Sequence, residues 1–107
     1  MSNVRRGHDT ERRCAIRLKE LGYDVIRSAA SRSVWDLIAI GNHDIRLIQC
    51  KRTKQTVKSA AAPKTVIKEM QEAPVPKTDM IRKELWTWVD QQQVGKPGIG
   101  WVITTVI

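Results

Sequence analysis

The chain contains no phenylalanine, and its aromatic set is one tyrosine and four tryptophans. That scarcity counts against basic membrane-surface helices, which pair their charge with a strong aromatic or apolar face. Cysteine is scarce as well: Cys14 and Cys50 are the only two. No histidine or cysteine accompanies either at metal-ligand spacing, so a disulfide framework or zinc ribbon is excluded and both thiols are expected to be reduced. Apolar runs of the roughly 18–20 residues needed to span a bilayer are missing. The opening Met1-Ser2-Asn3-Val4-Arg5-Arg6 has no apolar core of a secretory signal, so a cytoplasmic protein is expected, of a prokaryote or a phage-infected cell. Acidic residues are outnumbered, 11 against 19 basic, giving a net charge of +8.

What remains is a chain of 107 residues with 41% apolar content, enough for one modest core and too much for wholesale disorder. The positive charge is clumped. Residues 5–32 hold eight Arg or Lys, and residues 51–68 hold six with no acid among them. A polyanionic partner is implied, with nucleic acid favoured.

Along the chain, Cys14, Ala15, Leu18 and Leu21 recur at three- and four-residue spacing, which predicts an amphipathic helix over His8–Leu21, stopped by Gly22. Tyr23–Ser28 reads as a strand, Ser28–Ser33 as a small polar loop, and Trp35–Ile40 as a second strand buried on both faces. Gly41-Asn42-His43-Asp44 is turn chemistry, and Ile45–Lys51 completes a hairpin. Residues 53–76 admit two readings, a basic flexible loop or one carrying a short helix over Thr65–Gln71. Ile81, Leu85, Trp88 and Val89 predict a second helix over Asp79–Gln93. Gly95–Gly100 breaks it, and Trp101–Ile107 closes as a strand. The expected architecture is α/β, one domain over 1–107, a mixed sheet flanked by helices in the order α-β-β-β-α-β.

The hairpin carries the chemistry. Residues two apart on a strand share a face, so Gln49 and Lys51 point the same way. Pairing about the Gly41-Asn42 turn brings Asp36 to the same end of the hairpin. A carboxylate, an amide oxygen and the Cys50 backbone carbonyl are hard oxygen ligands of the kind Mg2+ takes. Such a cation polarises a phosphodiester, and Lys51 can offset the developing charge. Glu11 lies on the inward stripe of the first helix, where a carboxylate needs a partner. The metal site is one candidate, and a salt bridge to Arg12, Arg13 or Arg27 is another.

Asp36, a gap of twelve, then Gln49-x-Lys51 resembles the PD-(D/E)xK nuclease superfamily. Three stretches narrow the likeness to archaeal Holliday-junction resolvases and their phage relatives. These are Gly7-x-x-x-Glu11-Arg12, then Gly22-Tyr23-Asp24-Val25-Ile26-Arg27-Ser28-Ala29-Ala30-Ser31 leading into Trp35-Asp36-Leu37-Ile38-Ala39, and Leu47-Ile48-Gln49-Cys50-Lys51. The resemblance implies a restriction-endonuclease-like fold, a homodimer, and Mg2+- or Mn2+-dependent cutting of branched DNA. It implies that Glu11 and Asp36 are catalytic acids, Lys51 the catalytic lysine, and Ser31 an active-site serine. Gln49 replaces the usual glutamate, which removes one negative charge and weakens metal binding.

The basic residues around these stretches, Arg5, Arg6, Arg12, Arg27, Arg32, Arg52, Lys54 and Lys58, are the expected phosphate contacts, which position DNA without reading sequence. The competing readings are a DNA-binding module with weakened or lost catalysis and an accessory subunit of a nucleic-acid-processing complex. His8 and His43 read as solvated. Cys14 reads as core, with Cys50 packing on the face opposite Gln49. Trp86 and Trp88 fall on different sides of the expected second helix, one in the core and one free for a dimer contact or an aromatic platform.

Overall fold

The computed structural model describes residues 3–28, 34–53, 64–89 and 100–106. Helix α1 runs over Asn3–Glu20, one turn and more ahead of the expected start. Gly22 ends it with φ +95°, a conformation that costs a side-chain-bearing residue about 1–2 kcal/mol. The Leu18 carbonyl accepts from the Tyr23 N–H and the Lys19 carbonyl from the Gly22 N–H, both at 3.0 Å. This crossed pair satisfies carbonyls that a helix end otherwise leaves open.

Three strands follow: β1 Asp24–Arg27, β2 Leu37–Ile40 and β3 Ile45–Thr53. β1 pairs antiparallel with β2, and β2 antiparallel with β3, with Leu37 opposite Ile48. The expected hairpin is therefore present. A side chain on Gly41 would bring its Cβ within 2.7 Å of the Tyr23 ring. The bare backbone there lets the Tyr23 hydroxyl donate to the Asp44 carboxylate at 2.8 Å.

Helix α2, Lys64–Glu72, settles the two readings of this stretch in favour of the helix. The stretch beyond it corrects the sequence expectation. Residues 81–89 form strand β4, Ile81–Val89, rather than a helix, and β5 covers Trp101–Val106. The observed order is α-β-β-β-α-β-β. Ile81, Leu85 and Val89 are four apart, and four is both one helical turn and two strand periods, so this spacing cannot separate the two. The β-forming run Leu85-Trp86-Thr87-Trp88-Val89 decides it, because tertiary pairing rewards it. β4 pairs parallel with β3 along its whole length and antiparallel with β5. The sheet order is β1-β2-β3-β4-β5.

Each face of this sheet carries its own core. Cys14, Ala15 and Leu18 of α1 pack on Leu37, Ala39, Ile48 and Trp86. Met70 of α2 packs with Trp35, Leu47, Leu85 and Val106 on the other. Trp86 and Trp88 therefore share the α1 face instead of dividing between two sides of a helix. No helix among the described residues is long and apolar enough to cross a membrane.

Leu18 is fully buried, whereas Ile16, two residues away, is half exposed. We expect Leu18→Ala to lower unfolding stability by about 2–5 kcal/mol in urea denaturation. Ile16→Ala should stay within about 0.5 kcal/mol of the parent. Equal losses in the two variants would contradict the packing of α1 on the sheet.

Candidate active site

Asp36 sits where β2 begins, at a break in strand alternation. Trp35 packs into the α2-side core although Leu37 packs into the α1-side core. Residues two apart on an unbroken strand would share a face. Backbone bonds hold the break on both sides: the Asp36 N–H donates to the Ile48 carbonyl at 2.8 Å, and the Asp36 carbonyl accepts from the Ser28 N–H at 3.0 Å. The carboxylate is held too, its Oδ2 accepting the Cys50 N–H at 2.8 Å.

Burial raises the Asp36 carboxyl above the ordinary aspartate range. The Cys50 amide and the Lys51 charge pull it down, while the negative charge of Glu11 pushes it further up. Glu11 and Lys51 thus both act electrostatically on Asp36. Glu11 itself is bridged by Arg27, at 3.1 Å from Nη2 to Oε2, which is one of the two partners left open for it. Arg12, Arg27, Lys51 and Arg52 are exposed.

Gln49 opposes Leu85 in the β3–β4 register, so it issues from the α2 face of the sheet. Its Oε1 is buried and has no hydrogen-bond partner among the described residues. A buried amide oxygen left unmatched costs about 1–3 kcal/mol. An oxygen kept at that cost is available to a ligand. Cys50 faces the other way, against the α1 core, as expected. Hydrogen bonding to Cys14, then burial, drives its thiol far above the ordinary range. It therefore stays protonated and contributes through its backbone.

Ser31, Arg32, Lys54 and Lys58 lie outside the described residues, as do the side chains of Arg5, Arg6 and His8. Among the described residues no three His, Cys, Asp or Glu side chains gather to hold a metal. Sequence reading missed one feature altogether, a tryptophan corner beside α1. Trp86 and Trp101 meet edge to face at 5.4 Å, Trp88 and Trp101 at 5.1 Å, and Arg13 lies 4.7 Å over the Trp88 ring. The Trp86-x-Trp88 spacing would have disclosed it once 81–89 was read as a strand.

The mixed sheet thus carries a carboxylate pinned at a strand break, a lysine two residues beyond Gln49 and an acid on the covering helix. The model of the archaeal Holliday junction resolvase (Hjc) family matches residues 2–70, and the chain belongs to that family. Its function is that of a Holliday-junction-resolvase-like nuclease. The fold is similar to that of Archaeoglobus fulgidus Hjc, a Holliday junction resolvase from an archaeal hyperthermophile, with a TM-score of 0.65 at 15% identity. That likeness covers 94% of this chain and 73% of the other. No curated protein sequence matches the chain.

The raised Asp36 pKa has a signed consequence. The folded state binds this proton more readily than the unfolded chain, so stability is greatest when Asp36 is protonated and is lost as pH rises through the folded value. Asparagine keeps an oxygen for the Cys50 N–H and carries no charge. Asp36→Asn should therefore raise Tm at pH 7, the advantage fading as pH falls through the folded value and gone by about 4. Thermal melts across that range check it, and a variant less stable than the parent at pH 7 would contradict the cause.

Proposed function

We propose that the chain is a divalent-metal-dependent endonuclease of the PD-(D/E)xK type, acting on four-way or otherwise branched DNA as a homodimer. The observation that carries this reading is Asp36, held by the Cys50 amide between the charges of Glu11 and Lys51. A hard cation, Mg2+ or Mn2+, suits the donors available: the Asp36 and Glu11 carboxylates, the unpartnered Gln49 Oε1 and the Cys50 carbonyl. When bound, it supplies Lewis acidity and an activated water at neutral pH.

The chain's own residues do the rest. Burial makes Asp36 a carboxylate in low dielectric, where its charge acts at greater strength than in water. Lys51 is exposed beside it and free to offset charge gathering on a scissile phosphate. A cation at that spot competes with Arg27 for the Glu11 carboxylate. This competition gives Arg27 a second use, because a guanidinium released there is a phosphate ligand. Arg5, Arg6, Arg12, Arg32, Arg52, Lys54 and Lys58 add phosphate contacts, and Ser31 joins the active site. A two-fold dimer matches a substrate that offers two equivalent cuts.

Gln49 supports a second reading, a junction-binding module in which catalysis is weak or lost. A labelled four-way junction separates the two. The nuclease cuts it with Mg2+ or Mn2+ and not in EDTA, Asp36→Asn abolishes cutting while binding survives, and Gln49→Glu lowers the metal concentration required. Metal-independent binding with no cutting in either the parent or Gln49→Glu would overturn the enzymatic reading.

A further inference from the structure

α1 lies mainly over β1, β2 and β3 and meets β4 at Trp86 and, through Arg13, at Trp88, which among the described residues leaves part of the β4–β5 half of the same face open. A cleft of about 480 Å³ fills that gap, lined by Arg17, Leu21, Arg46, Trp86, Trp88 and Trp101. We propose that this cleft binds an unpaired nucleobase of DNA, stacked on Trp88 and Trp101, with its phosphate on Arg13 and Arg17. The proposal rests on the reading that DNA is the ligand and adds a second site outside the cleavage centre.

The walls have different jobs. Trp86 is buried and its Nε1 donates to Glu84 Oε1 at 3.0 Å, so it is the fixed floor. Arg46 is occupied by the Asp44 and Glu84 carboxylates at 3.4 Å each. Trp88 and Trp101 are only partly buried, and Ile103 beyond them is exposed. They stand as flat, rigid surfaces set by few rotatable bonds. Gly100 allows this: a Cβ there would lie 2.5 Å from the Trp88 ring.

Cations complete the match. Arg13 already lies over the Trp88 face, the contact a guanidinium makes with an aromatic ring. Arg17 has only a 4.0 Å contact with exposed Glu20, which is worth little in water. Aromatic faces tolerate any base, while cations beside them hold the backbone, a combination typical of single-strand binding. A paired base within a duplex has its faces covered by its neighbours, so only an unpaired or flipped-out base can enter.

Position adds support. Trp86 is the register partner of Cys50, whose N–H holds Asp36. Trp86, the floor of the cleft, thus lies two strand spacings from the strand that carries Asp36, roughly 10 Å, and Trp101 lies one strand further. The cleft and Asp36 therefore belong to neighbouring strands of one sheet. All three tryptophans of the cleft lie beyond residue 70, outside the part the family model matches.

The test uses the full chain in EDTA, titrated with oligothymidine or with a blunt duplex of equal length and followed by tryptophan fluorescence. We expect oligothymidine to quench. The single-strand to duplex affinity ratio should fall about tenfold in Trp88→Leu and in Arg17→Gln, within the range of one lost stack or phosphate contact. Arg17 is exposed, so its variant reports even where Trp88→Leu fails to fold. No quenching, or an unchanged ratio in Arg17→Gln, overturns the proposal. So does loss of a dimer in Trp88→Leu by sedimentation with the ratio unchanged, which would assign the face to a second copy. If the parent cuts junctions without quenching, only the cleft falls. If the ratio shifts while no junction is cut, the cleft stands and the nuclease reading falls.

Discussion

The hydrogen bond from the Cys50 N–H to Asp36 Oδ2, at 2.8 Å, joins the site to the sheet. β2 breaks its alternation at Asp36, and a backbone amide of β3 left facing such a break needs an acceptor. The carboxylate is that acceptor. One contact thus closes the sheet where strand pairing stops and fixes the acid on which the proposed chemistry depends. Burial opposes the charge and the amide favours it, with Glu11 and Lys51 pulling in opposite directions. Burial wins, so the site holds a carboxylate less comfortable than one in water, and a cation would relieve that discomfort.

β4 is the second constraint. It runs parallel to β3 and carries cores on both faces, so its second half, Leu85–Val89, is apolar except for the buried Thr87. Its α1 face presents Glu84, Trp86 and Trp88 in turn. α1 stops short of covering the last of these, and the open tryptophan corner follows from that geometry. The same strand that completes the core therefore supplies the surface beside the active site.

Much of this was legible in the sequence because it is local. The Gly22 stop, the hairpin turn and the shared face of Gln49 and Lys51 each depend on a few adjacent residues. The face of Gln49 relative to α1 was not legible, since it depends on β3 pairing with β4. Residues 81–89 failed for a related reason. Ile81, Leu85 and Val89 suit a helix and a strand equally, and only neighbours distant in sequence choose between them. The partner of Glu11 was narrowed to four candidates, three arginines or a metal, because a carboxylate on an inward helix face announces its need without naming who meets it.

Charge at the centre now explains what the glutamine changes. With glutamate at position 49 the site would hold three carboxylates against Lys51 and Arg27. With Gln49 it holds two, and Arg27 already balances Glu11. The net local charge is then close to neutral without any metal, so cation binding loses much of its Coulombic drive. On the proposed reading a hard-oxygen donor remains, because the buried Gln49 Oε1 has no partner among the described residues. A cation gains from matching that oxygen and from easing Asp36, and it loses by having to displace Arg27 from Glu11. Phosphate shifts this balance, since it can take Arg27 from Glu11 as DNA arrives. Metal and substrate are then expected to bind together more readily than either alone, with the arginine bridge as the element that couples them.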